Sequence, residues 1–197
     1  MLLEPKYRAL FAVTVLMLVG FTTYYVAGGN FEFMVYIAVI VFFLVLIIAT
    51  RNRVEYPMPI LWGLVAWALL HMAGGSFYWG GTRFYDIILL PLVGAPYDII
   101  KYDQAVHAFG FFVTTFVAYH LLRPHLAGPA KGRVGLAVVL AVAGMGAGAL
   151  NEVVEFATTV VSSSTGVGGY INNSLDLVAN GVGAVIAAIW IYFKAEA

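Results

Sequence analysis

Residues 151–180 read NEVVEFATTVVSSSTGVGGYINNSLDLVAN. This stretch joins two strongly apolar segments, yet both carry carboxylates and amides inside their apolar runs. Glu152 and Glu155 stand three apart and so share one helix face. Asn172, Asp176 and Asn180 follow at intervals of four and form a single polar stripe on the next helix. Groups of this kind are costly to bury in an apolar medium and need partners.

The surrounding chain defines that medium. Of 197 residues, 62% are hydrophobic and only 10% charged, and the mean hydropathy is +0.93. Soluble domains are not built this way, whereas integral membrane proteins are. The length fits one domain, residues 1–197. The formal net charge is zero, so no overall field argues for a nucleic-acid partner. Cysteine is absent, which removes disulfides, thiolate metal sites and cysteine nucleophiles.

The pattern predicts an all-α, polytopic six-helix transmembrane bundle. The expected spans are Ala9–Ala27, Phe31–Thr50, Ile60–Trp79, Tyr102–Leu122, Val134–Val161 and Ile171–Phe193, each near the roughly 20 residues a bilayer requires. The first apolar run is too long for a cleaved signal and is expected to stay as a helix. Gly28-Gly29-Asn30 reads as a tight turn, and Pro57 and Pro59 open the third span. Residues 84–100, FYDIILLPLVGAPYDII, are apolar but broken by Pro91, Gly94 and Pro96. A short re-entrant or interfacial hairpin over the site is expected there.

Basic residues orient the bundle. Lys6, Arg8, Arg51, Arg53, Arg123, Lys131, Arg133 and Lys194 fall on one side of a six-span topology, and Arg83 and Lys101 on the other. Both termini are therefore expected to be cytoplasmic, in a multi-pass protein of the cell (inner) membrane. Gly144-xxx-Gly148 and Gly183-xxx-Ala187 read as close-packing sites between helices.

Counted from the outer helix ends at the α-helical rise, the polar residues share one depth. His71 lies about 12 Å in, His107 about 7 Å, Glu155 and Glu152 about 9 and 13 Å, and Asp176 and Asn180 about 7 and 13 Å. Asp103 stands at the rim, one turn from His107. These residues are expected to line one cavity in the outer half of the bilayer. Asp103 and His107 suit an acid that orients an imidazole. Glu152 and Glu155 suit a division into acid and base. His107, Asp103, Glu152, Glu155 and Asp176 are the catalytic candidates. His71, Asn180, Asn172 and Tyr78 are the candidates to contact a substrate. His107, Glu152 and Glu155 are the candidates to hold a divalent cation, without a HExxH pair or a repeated histidine box. His120 and His125 are expected at the cytoplasmic interface. Ser162–Ser164 read as an outer loop with no nucleophile elbow.

The runs LHMAGGSFYW (His71, Tyr78), YDQAVHAFG (Asp103, His107) and NEVVEF (Glu152, Glu155) resemble the YjdF-like inner-membrane proteins. The closing DLVANGVGAVI (Asp176, Asn180) is also similar to the end of VanZ-like proteins. The latter association with glycopeptide resistance implies a role at the outer face. Two departures stand out: Asn172 occupies the place of an expected acid, and the arginine expected before the last VanZ-like motif is missing.

No lysine lies mid-helix, so a retinal Schiff base of the usual kind is excluded, and no Walker loop is present. Three classes remain: acid/base or cation-assisted chemistry on a lipid or amphiphile, a transporter or proton-linked carrier, and a non-catalytic partner-binding or envelope-maintenance protein. Apolar inner halves, VGLAVVLAVAGMGAGAL and GAVIAAIWIYF, weigh against the carrier.

Overall fold

The structure is a computed structural model that describes residues 4–29, 33–128, 130–161 and 169–194. Six α-helices account for most of them: α1 (Pro5–Ala27), α2 (Phe33–Thr50), α3 (Met58–Ser76), α4 (Tyr102–Leu122), α5 (Val134–Val161) and α6 (Tyr170–Lys194). All but α2 are long and apolar enough to cross a membrane, and the apolar stretch of α2, Tyr36–Thr50, is shorter. Prolines mark the starts of α1 and α3, where a missing N–H costs no intrahelical bond. The expected serine loop at 162–166 lies outside the described residues, as does Asn30 of the first turn.

The connection from α3 to α4 departs from a purely helical chain. The third span was expected to reach Trp79, but α3 ends at Ser76 and Phe77 turns extended. Four short strands follow: β1 (Tyr78–Trp79), β2 (Thr82–Arg83), β3 (Ile88–Val93) and β4 (Ile99–Lys101). β1 and β2 pair antiparallel around Gly80 and Gly81, at φ +57° and +84°. Tight hairpin turns ask for this left-handed backbone, and glycine adopts it without strain. β3 and β4 form a second antiparallel hairpin over the stretch expected to be one, with Pro91 tolerated because β3 has a free edge. A single turn of 3-10 helix, Phe84–Asp86, links the two hairpins. β4 runs straight into α4, where the Gln104 side chain accepts the Lys101 N–H at 3.2 Å.

The distribution of polarity is inverted relative to a soluble protein. Leu16, Leu150 and Val160 are 72, 68 and 70% exposed, while Asp176 and Asn180 are 0 and 1% exposed. Apolar side chains face outward and the polar stripe faces inward, as expected when the solvent is lipid.

Small residues bring α4, α5 and α6 close enough to bury that stripe. A Cβ on Gly183 would collide with the Ala108 carbonyl of α4. One on Gly148 would press on Asn180 of α6, at 2.7 Å from its Cβ. Gly144 likewise meets Thr115 and Ala184. The two small-residue motifs thus serve different seams: Gly144 and Gly148 admit α6 to α5, and Gly183 admits α4 to α6. The first three helices close a separate core of Met17, Tyr25, Tyr36, Ile40, Ala68, Met72 and Tyr85. There the Tyr25 hydroxyl lies 2.8 Å from Ser76 Oγ.

Gly183→Val should lower unfolding stability by about 1–3 kcal/mol through overpacking. Gly146→Ala, where the new methyl has open space, should be neutral or stabilise by up to about 1 kcal/mol. Unfolding in detergent, followed by circular dichroism, measures both. Equal effects at the two positions would contradict the packing described.

Candidate functional site

His107 sits at the centre of the polar stripe. It lies one turn along α4 from Asp103, which the i,i+4 spacing places on the same face. The ring is 3% exposed, and carboxylates approach it from two neighbouring helices. Nε2 lies 3.5 Å from Asp103 Oδ1 and 3.8 Å from Glu155 Oε1. Nδ1 lies 3.3 Å from Glu152 Oε1 and 3.1 Å from Asn180 Oδ1. Asp176, fully buried on α6, completes the set within 4.8 Å of ligand atoms on His107 and Asp103.

Four asparagines hold these carboxylates. Asn180 Nδ2 donates to Glu152 Oε1 at 3.0 Å, and Asn173 Nδ2 donates to Glu152 Oε2 at 2.8 Å. Asn151 Nδ2 donates to Glu155 Oε1 at 2.8 Å. Asn172 Nδ2 donates both to Asp103 Oδ2, at 3.1 Å, and to Asp176 Oδ2, at 2.5 Å. An amide needs no countercharge and can pin a carboxylate in a chosen orientation.

This network fixes the histidine tautomer. Asn180 turns its amide nitrogen to Glu152, so its oxygen faces His107. Both neighbours of Nδ1 are then acceptors, and Nδ1 carries the hydrogen. The Nε2 lone pair of the neutral ring consequently looks at Asp103 and Glu155, which are also acceptors. With a neutral ring, these acids have no positive partner at ion-pair distance among the described residues; a second proton on His107 supplies one.

His71 is brought to the same place by α3 but enters differently. Its ring centroid is 5.8 Å from that of His107, and it is boxed by Tyr36, Trp67 and Tyr85. Neither of its ring nitrogens has a hydrogen-bond partner among the described residues. The Tyr85 hydroxyl donates instead to the His71 carbonyl at 2.6 Å, and burial pushes the Tyr85 phenol well above its ordinary range. Tyr78, expected to contact a substrate, is 65% exposed on β1 and does not belong to the buried centre. The chain turns extended before reaching it, which carries its side chain away from the helix face His71 occupies.

Asn151 and Asn173 belong to the centre although the sequence reading passed over them. Asn151 was detectable, since it stands one turn before Glu155 on the same face. Asn173 gave no such signal, because it lies one position off the Asn172–Asp176–Asn180 stripe. At the opposite end of α4, His120 is 8% exposed beside Tyr56 and lines a cavity of about 540 Å³ with Glu4, Lys6, Arg51, Glu55 and Arg123, while His125 is exposed.

The side chains of the centre are in close contact with one another. None of the four principal cavities among the described residues is lined by His107 or by a carboxylate of the centre. The nearest, a groove of about 480 Å³ between Phe42, Phe43, Trp67, Phe111 and Leu150, ends at Asn151. Asp103, with 13% of its side chain exposed, and the half-buried Asn172 and Asn173 form the outermost edge.

Buried acids enclosed by outward-facing apolar helices define a helical membrane protein with a polar core. The chain belongs to the family described as predicted membrane protein (DUF2238), which it matches over residues 8–197. This is the family of the YjdF-like proteins. Neither the curated proteins nor the solved structures give a match.

Asn180→Leu keeps the volume but removes the acceptor for His107 Nδ1 and a donor to Glu152. It should cost about 1–3 kcal/mol, the penalty for buried polar groups left unpaired. Tyr78→Phe should change stability by less than about 0.5 kcal/mol. Chemical unfolding of the two variants compares them directly.

Proposed function

We propose that this membrane protein carries out acid/base or cation-assisted chemistry on a lipid or amphiphile at the His107 centre, in the outer half of the bilayer. One observation carries the reading: four carboxylates converge on a single imidazole, and among the described residues their hydrogen-bond and close ion-pair partners are that ring and four asparagines. A purely structural network gains nothing from so many acids in a low dielectric, where each uncompensated charge costs several kcal/mol. A proton or cation shared among them supplies the missing charge and, with it, acid/base or Lewis-acid chemistry.

The Asp103–Asn172–Asn173 edge is the shortest way in, and the hairpin of β3 and β4 adjoins it through α4. The hairpin then acts as a lid in the outer interface, with Asp86 and Asp98 facing water. A substrate headgroup reaches the centre when this edge opens. A carrier would need a polar path through the opposite half of α5 and α6, and residues 134–150 and 183–193 are apolar throughout. The likeness of the last helix to VanZ-like proteins rests on one short motif and adds only the outer-face location.

Orientation follows from the eight-to-two split of basic residues. Since the chain has no native cysteine, single cysteines are clean reporters. Thr82→Cys should label from outside intact cells and Lys131→Cys only after the inner face is made accessible. Labelling of both from one side contradicts the six-span topology.

The activity itself is tested by incubating the reconstituted protein with the lipids of its host membrane and following their conversion by mass spectrometry. Wild-type protein should transform at least one amphiphile, and His107→Ala and Glu155→Gln should lower the rate by a hundredfold or more, as expected when an acid/base group is removed. Equal lipid profiles for wild type and His107→Ala would overturn the reading.

A further inference from the structure

We propose that the centre is a mononuclear divalent-cation site in which His107 Nε2, Asp103, Glu155 and Asp176 are the ligands, while Glu152, Asn172 and Asn180 orient them. This deepens the cation-assisted form of the function above and rests on it only for the use made of the cation.

The ligand set follows from which atoms are already engaged. Glu152 has both oxygens occupied, Oε1 by Asn180 and Oε2 by Asn173. It also accepts from the Nδ1 side of His107 at 3.3 Å. That is the position of the partner that fixes a metal-bound imidazole through its other nitrogen. The sequence groups His107 with both glutamates, and one ligand atom of each of the three lies within 4.8 Å of the others; Glu152 is nearest Nδ1 and Glu155 nearest Nε2.

The surroundings of Nε2 are different. Asp103 and Asp176 each give one oxygen to Asn172. Asp103 Oδ1 remains turned to Nε2 at 3.5 Å. Asp176 Oδ1, in a side chain with no exposure, has no hydrogen-bond partner among the described residues. Ligand atoms of Asp103, His107 and Asp176 already lie within 4.8 Å of one another; Glu155 Oε1, which also accepts from Asn151 at 2.8 Å, stands 3.8 Å from Nε2 and joins them as the fourth ligand by moving inward. Ligands held about 2.0–2.2 Å from a tetrahedral ion lie roughly 3.3–3.6 Å from one another. The two Nε2 separations are close to that spacing, and small side-chain motions close the difference.

One nitrogen and three carboxylates form a hard, mixed donor set. It suits Mn²⁺ or Zn²⁺ better than a thiophilic ion; with Glu152 the centre holds four carboxylates against two positive charges, so protons shared within it accompany the cation. The departure at position 172 also finds a reason. An acid there would add a further charge, whereas Asn172 donates to two ligands at once.

The test uses the full-length protein in detergent, stripped with a chelator and titrated with Mn²⁺. Wild type should bind one Mn²⁺ per chain, with nitrogen coupling from one imidazole in pulsed electron paramagnetic resonance. His107→Ala should abolish that coupling. Asp103→Asn and Asp176→Asn should weaken binding at least a hundredfold. Asn172→Ala should weaken it about 10–100-fold, as loss of an orienting partner does. Glu152→Gln, which keeps an acceptor for Nδ1, should bind within about tenfold of wild type and keep the nitrogen coupling. Protection of the wild type against thermal unfolding by Mn²⁺ gives a readout that needs no variant. Folded wild-type protein that binds neither Mn²⁺ nor Zn²⁺ overturns the proposal. So does binding that survives Asp103→Asn and Asp176→Asn but is lost in Glu152→Gln. Lipid conversion without any bound metal overturns the site and leaves the acid/base function standing. Metal bound as described, with no conversion of any lipid, supports the site and sinks that function.

Discussion

The two nitrogens of His107 face unlike surroundings, and the rest of the polar core is arranged around that difference. Nδ1 meets an amide oxygen and a carboxylate that already has its donors. Nε2 meets carboxylates whose nearer oxygens are turned toward it. In water this contrast would matter little. Inside a membrane-spanning bundle it sets where a positive charge must reside, because the acids have no bulk solvent to answer them.

Holding four acids around one ring places demands on the backbone. Helices α4, α5 and α6 must approach more closely than ordinary side chains allow, and Gly148 and Gly183 make the approach by leaving no Cβ in the way. The amide ring of Asn151, Asn172, Asn173 and Asn180 does the remaining work without adding charge. α2, α3 and the 3-10 turn Phe84–Asp86 contribute an aromatic wall of Tyr36, Trp67 and Tyr85 around His71, whose ring nitrogens have no hydrogen-bond partner among the described residues. Packing glycines, amides and acids thus act as one device: each is costly or idle without the others.

Much of this was legible in the sequence because the background is so apolar. An acid inside a run such as NEVVEF has few structural excuses, and the 1.5 Å rise of a helix places it in depth without coordinates. The common level of His71, Asp103, His107, Glu152, Glu155, Asp176 and Asn180 follows from that count, and Asn172 joins them through the four-residue stripe it shares with Asp176 and Asn180. What the count could not supply is rotational and rotameric. It did not say which ring nitrogen Glu152 and Glu155 each approach, or bring in Asn173. Tyr78 entered through the resemblance carried by LHMAGGSFYW, and it stands 65% exposed on β1. The hairpin at 84–100 was visible as a break, but the pairing of Ile88 with Lys101 and Val93 with Ile99 was not.

The split environment of His107 is accessible to one direct measurement. Nitrogen-15 spectra of the protein labelled at its four histidines report which ring nitrogen carries hydrogen and which responds to a cation. A buried histidine should show Nδ1 protonated and Nε2 bare, with the Nε2 resonance shifting on addition of Zn²⁺ and lost as an assignment in His107→Ala. A His107 whose Nδ1 is bare, or whose Nε2 is indifferent to any divalent cation, would contradict the account.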